Sequence, residues 1–311
     1  MKSGEVNKAP VRRVGMASEG NRGGNISQQS ALAMSLYPRG FEENDGLRSD
    51  FIRQLTLQQI ERDRGTSTGE SAGQAELIPR TLVRYWHDPL GVPSDVRRCL
   101  DSWEALREEG FSMRMFSDAS ARTYIAERYG WREIAAFERC RHPAMRSDYL
   151  RMCFVLAEGG LYVDADDVLL GDGWREIFRG DALRVQALCY DIRAGGMVSA
   201  TELRRIDLPT DDRIFYVNNN PIAAPAGHPV LRRALSRATD ALLGEDPTPE
   251  IQSTTGPGNL TASLAAHALE VHEMGTRPDF ELLFNWEATA APRWDLAYRS
   301  DARNWRNMGL R

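Results

Sequence analysis

The sequence predicts an α/β fold, an open and mostly parallel sheet flanked by helices, on three observations. From residue 77 the chain alternates between strand-like and helix-like stretches, the order that builds right-handed βαβ units. Residues 144–157 are almost continuously apolar, so they read as a helix buried nearly all round. Gly159-Gly160 and Leu161-Tyr162-Val163 follow as a helix stop and a strand. That strand ends in Asp164, Asp166 and Asp167, and open α/β sheets bind ligands at the carboxyl ends of their strands.

Residues 1–76 stand apart. They are rich in Ser, Gly, Asn, Gln and Arg and poor in aromatics, so they are expected to be a largely disordered polar segment, with 51–62 able to form one short amphipathic helix. Such a leader reads as a floppy extension in preference to an export signal, and the second reading stays open. One folded domain is expected over 77–311, beginning at Leu77-Ile78-Pro79. Residues 81–86 form a strand ending in Trp86, and 94–109 a helix with Val96, Cys99, Leu100, Trp103 and Leu106 on one stripe. Gly110 closes that helix, 111–116 alternates as a second strand, and Ser117-Asp118 caps a helix reaching Arg128. Beyond the acidic cluster come a strand at 183–189, a loop-rich insertion at 193–205 and an amphipathic helix at 229–243. A turn at 254–261 leads into a helix at 262–274. The C-terminal region carries Trp286, Trp294, Tyr298 and Trp305.

Three polar residues, Ser147, Asp148 and Arg151, interrupt the apolar wall of the central helix. Asp148 and Arg151 are three apart and face the same way. Unpaired charges inside a core are too costly to keep, so this pair must meet each other or a ligand. The aspartates that follow repel one another unless a cation lies among them, and hard oxygen ligands suit Mg²⁺ or Mn²⁺.

At 311 residues, a net charge of −5 and 42% hydrophobic content, the composition is that of an ordinary globular chain. No apolar run approaches the roughly 20 residues of a membrane helix, and no signal-peptide pattern is visible. A soluble, cytoplasmic protein is therefore expected, with secretion into a host cell as the alternative. Cys99, Cys140, Cys153 and Cys189 lack zinc spacing and read as core thiols in a reducing compartment. A slightly acidic chain without a basic run argues against nucleic acid as a partner.

Ala144, Ser147-Asp148, Arg151, Gly159-Gly160, Tyr162, Asp164 and Asp166 together resemble the motif of the DXD-type retaining glycosyltransferases of the sugar-binding-region family (family 32). The resemblance is to mannosyltransferase-like members and, more distantly, to the catalytic domains of the clostridial glucosylating toxins; bacterial polysaccharide enzymes are also relatives. It implies a GT-A fold, a UDP- or GDP-sugar donor, a glycan or protein acceptor, retention of configuration, and Mn²⁺ or Mg²⁺. It also implies roles. Asp166 would bind the metal directly, and Asp164 would touch the ribose, or the metal through water. Arg151 would stabilise phosphate or charge developing on the sugar, and Asp148 would fix a sugar or ribose hydroxyl. Ser147 and Tyr162 belong to the same donor-binding motif.

Further matches lie outside that core. Ile78, Pro79 and Trp86 fit the family's first strand, with Arg84 or Tyr85 where the family has His. Trp86 has two readings, stacking on the nucleotide base and plain core packing. Asn219 stands where the family contacts the sugar. Gly256, in a Thr-Gly-Pro turn, reads either as a capped turn or as an anion-facing helix start, and His228 reads as a structural loop residue. The family ends in His followed by Trp, whereas this chain has Arg303-Asn304-Trp305; Trp305 would cover the diphosphate, and Asn304 or Asp301 would complete the metal. Three alternatives remain: a toxin-like effector glycosylating a host protein, a metal-dependent phosphohydrolase, and a non-catalytic metal-binding protein. The phosphohydrolase lacks an evident His or Lys near the cluster, and an EF-hand would need a glycine and a closing Glu that are missing.

Overall fold

The computed structural model describes residue 34 and residues 36–65, 77–246, 249–301, 303, 304 and 306. Its principal elements are α1 (Asp45–Gly65), β1 (Thr81–Tyr85), α2 (Ser94–Asp101), β2 (Ser112–Phe116), α3 (Asp118–Arg128), α4 (Trp131–Arg139), α5 (Pro143–Glu158), β3 (Gly160–Tyr162) and β4 (Asp167–Leu169). There follow β5 (Leu183–Asp191), β6 (Gly196–Met197), β7 (Arg213–Ala224), α6 (Pro229–Leu243), α7 (Pro257–Glu273), β8 (Phe280–Leu283) and β9 (Ala290–Pro292). The main sheet is seven-stranded, ordered β2-β1-β3-β7-β5-β6, with β8 joined to β5. Strands β1, β2 and β3 run parallel, as do β5 and β8, while β7 opposes β3 and β5 and β6 opposes β5. The mixed α/β architecture with a mostly parallel central sheet is the expected one.

One sheet face is covered by α1, α5 and α7, with α6 packed behind α5 and α7, and their apolar side chains join Val83, Val185, Phe215 and Val217 in the main core. The other face carries Leu82, Leu161, Trp103, Phe111, Trp174 and Trp286. Helix α5 is buried continuously from Ser147 to Leu156 because it lies between the sheet and α6. It stops at Gly159 (φ 72°), and Gly160 follows at φ 116°. A Cβ on Gly160 would lie 2.7 Å from the Thr81 carbonyl oxygen, so only glycine lets β3 approach β1 here.

Three local expectations change. Helix α1 is longer than the 51–62 stretch and belongs to the core: Phe51 and Ile52 are fully buried. It also carries buried polar residues, with Arg53 donating to the Leu203 carbonyl at 2.9 Å and Gln59 exchanging hydrogen bonds with the Leu282 backbone at 2.8 and 2.6 Å. Those polar side chains dilute the apolar period, which is why the stretch reads as part of a polar leader; packing begins before residue 77. The 94–109 helix breaks after Asp101 into a tight turn at Glu104–Arg107. Finally, 213–224 is a long central strand, masked in the sequence by the turn-like Asn218-Asn219-Asn220-Pro221. Val217 pairs with Ala187 and Ile222 with Val185, so those four residues stand opposite Gln186 alone. They bulge out of the sheet.

Candidate active site

The carboxyl end of β3, the start of α5 and the β7 bulge converge on a cleft of about 750 Å³. Arg151, 3% exposed, is its organising cation. Its Nη2 lies 2.9 Å from Asp164 Oδ1 and 3.0 Å from Asp148 Oδ1, and its Nη1 donates to the Asn219 carbonyl at 2.6 Å. Tyr162 donates to Asp164 Oδ1 at 3.0 Å and lies 2.6 Å from Ser147 Oγ. Asp148 takes hydrogen bonds from Asn219 Nδ2 at 2.8 Å and Thr255 Oγ at 3.3 Å. Burial pushes the Asp148 carboxyl up to about 7, Arg151 opposing and Asp164 adding to the rise. Burial disfavours the charge on Arg151, yet Asp164, Tyr162 and Asp148 outweigh it and hold the guanidinium protonated.

The acidic turn divides its carboxylates between two arginines. Asp164 faces Arg151, whereas Asp166 accepts from Tyr298 and pairs with Arg299, both on the C-terminal arm. The β4–β9 ribbon carries that arm back, and Arg293 N donates to the Asp166 carbonyl at 3.0 Å. Burial raises the Asp166 carboxyl, with Asp164 adding to the rise. Asp167 opens β4 and is pushed up to about 8 by burial and by Asp166 and Asp164. Its Oδ2 accepts from Asn220 at 3.0 Å, and that amide and the Trp286 indole N–H partly offset the rise.

The expected residues are largely brought together. Ser147, Asp148, Arg151, Tyr162, Asp164, Asp166, Asn219 and Gly256 all line the cleft. Trp86 lines it too, but it is 7% exposed, packed with Val96, Cys99, Ala165 and Leu296, and meets Tyr298 edge-on at 5.2 Å. Core packing thus accounts for most of its surface. Asn219 is committed to Asp148. Asn304 lines the cleft with its amide donating to the Arg299 carbonyl at 2.7 Å, and Asp301 pairs with Arg303 at 2.6 Å. Trp305 lies outside the described residues. His228 is structural, its Nδ1 accepting from Val230 N at 3.3 Å at the start of α6. Sequence reasoning missed Asn220, Thr255, Tyr298 and Arg299. The Asn run hinted at the first; nothing local marks the last two.

Among the described residues no group of three or more His, Cys, Asp or Glu side chains is arranged to hold a metal. None of the described helices is long and apolar enough to cross a membrane.

Residues 93–180, which include α5, β3 and the acidic turn, match the family described as glycosyltransferase sugar-binding region containing DXD motif. The activity class is glycosyl transfer. A solved structure described as PaToxG Glycosyltransferase aligns over 78% of this chain and 94% of its own at 16% identity, with a TM-score of 0.40. No curated protein matches the chain. For a glycosyltransferase, the Arg151–Asp164 contact inside the matched span is the feature that joins motif to cleft.

Proposed function

We propose that the enzyme moves a sugar with retention from a UDP- or GDP-sugar to a glycan or protein acceptor, assisted by Mn²⁺ or Mg²⁺. The observation that carries this reading is the placement of Asp164 and Asp166, each facing a cleft of about 750 Å³ with an arginine on one oxygen. The donor set suits such an ion. Mg²⁺ and Mn²⁺ are commonly held by one or two carboxylates plus substrate phosphates, so a cage of three protein ligands is not required. Asp166 and Asp164 would hold the ion, which when bound would supply Lewis-acid neutralisation of the departing diphosphate.

The chain's own groups do the rest. Arg151 presents a fixed positive charge beside Asp164, suited to phosphate or to charge developing on the sugar. Asp148, held by Arg151, Asn219 and Thr255, would accept a hydroxyl of the sugar or ribose. Gly256 and Pro257 line the cleft at the start of α7, where the positive end of the helix would favour an anion. Tyr298 and Trp294 line the opposite wall. Retention comes from the family resemblance, with front-face displacement as the route, since the cleft aspartates are engaged in holding other groups.

Incubating the purified protein with Mn²⁺ and a panel of UDP- and GDP-sugars, and following donor hydrolysis, tests the reading. At least one donor should be hydrolysed, and Asp166→Asn should reduce the rate by about 100-fold or more while the circular dichroism spectrum stays unchanged. Full activity of Asp166→Asn, or no turnover of any donor, would refute it.

A further inference from the structure

The contact between Arg299 and Asp166 carries an inference that rests on the metal reading above and goes beyond it. Asp166 is the carboxylate assigned to the cation, and the structure already gives it a cationic partner from this chain. Arg299 pairs with Asp166 Oδ2, and the side chains are only 15% and 11% exposed. Tyr298 donates to the same oxygen. The guanidinium is held in place by more than this one contact: its Nε donates to the Arg293 carbonyl at 2.8 Å, and its plane lies over the Trp294 ring at 4.3 Å. The segment is itself anchored, since Arg293 N binds the Asp166 carbonyl at 3.0 Å and Ala297 N binds Asp95 Oδ2 at 2.7 Å.

A divalent ion approaching Asp166 therefore meets a positive charge that it must displace or repel. Moving a partly buried arginine off its carboxylate leaves the guanidinium uncompensated unless another anion takes it. A diphosphate entering the cleft is such an anion, and arginine binds phosphate oxygens in a two-pronged way. The two ligands are then linked, because whatever draws Arg299 away favours the ion, and the ion favours whatever holds Arg299 elsewhere.

We propose that Arg299 is a built-in competitor of the divalent cation at Asp166, so that the ion alone binds weakly and binds well once an anionic ligand draws the guanidinium aside. Arg299 is in this sense a positioning residue that couples metal entry to donor entry.

The test measures binding of Mn²⁺ alone, by the loss of its free-ion electron paramagnetic resonance signal, to the full chain and to three variants. Arg299→Gln should bind Mn²⁺ about tenfold more tightly than the unaltered protein, the scale of one partly buried ion pair. Arg299→Lys, which keeps the charge but loses the Nε hydrogen bond and the stacking on Trp294, should fall between the unaltered protein and Arg299→Gln, and Asp166→Asn should bind more weakly than all of them. Thermal melts check folding, and Arg299→Ala replaces the Gln variant if that one does not fold. Unchanged or weaker Mn²⁺ binding by the charge-free variants, with Asp166→Asn still impaired, would overturn the competitor role and leave the metal reading standing. Normal Mn²⁺ binding by Asp166→Asn would overturn both.

Discussion

Nη2 of Arg151 lies 2.9 Å from Oδ1 of Asp164, and through this contact the buried helix α5 grips the acidic turn. The same nitrogen is 3.0 Å from Asp148 Oδ1, so one guanidinium serves two carboxylates. Removing it leaves the buried Asp148 without its cation, so that its carboxyl must take up a proton or sit uncompensated. Arg151→Met should abolish transfer and cost about 3–5 kcal/mol of stability. Adding Asp148→Asn should return about 1 kcal/mol or more of that loss, since neighbours in one network are not additive. Urea unfolding of the two single variants and the double variant measures the coupling; strict additivity would show that the contact is energetically idle.

Glycine at position 160 is demanded by space as well as by φ. Gly160→Ala should cost about 2–3 kcal/mol, because the new Cβ would sit 2.7 Å from the Thr81 carbonyl oxygen, which belongs to a strand and cannot yield. Gly110, at φ 83°, has nothing within 4 Å of its Cβ position. Gly110→Ala should therefore cost only about 1 kcal/mol. Equal melting temperatures for the two variants would contradict the close approach of β3 to β1.

If α1 belongs to the core, Phe51→Ala should destabilise the protein by about 3–5 kcal/mol, as expected for emptying a fully buried aromatic site. A disordered leader would lose nothing. Denaturant titration separates the two outcomes without any functional assay.

His228 contributes one component of the pH dependence of stability, of opposite sign to that of the raised Asp148 and Asp167 carboxyls. Burial lowers the His228 imidazole from its ordinary value of 6.5, partly offset by the Asp279 carbonyl and carboxylate and reinforced by His267. A depressed folded value means that the native state resists a proton that the unfolded chain accepts. The stability associated with neutral His228 is thus fully present above pH about 6.5 and declines as the pH falls below it. His228→Asn, which can still accept from Val230 N at the helix start, should remove this decline on acidification between pH 7 and 5, leaving the opposite-signed contribution of the raised Asp148 and Asp167 carboxyls in place. An unaltered slope would exclude His228 as its source.

Much of the site was legible in local pattern. A helix buried all round with Asp148 and Arg151 three apart requires that they meet each other or a ligand, and the 3.0 Å contact is the first of these. Gly159-Gly160 as the stop before the strand follows from composition, and the structure gives both residues positive φ. The acidic cluster at a strand end predicts a ligand site, and Asp164, Asp166 and Asp167 all line the cleft. Other features hid. β7 hides behind turn-forming residues because Asn219 and Asn220 spend their amides on Asp148 and Asp167 in a bulge. α1 hides because Arg53 and Gln59 are buried by bonding backbone carbonyls far along the chain.

By itself the sequence determined what depends on neighbours within a few residues: helix and strand periods, glycine stops, and the need for Asp148 and Arg151 to find partners. Tertiary structure alone decided which distant groups supply those partners. Arg299 reaches Asp166 from 133 residues away, because the β4–β9 ribbon folds the arm back across the cleft. No local pattern encodes such a pairing, since charges so far apart in sequence meet only when the packing of the whole sheet fixes where each strand ends.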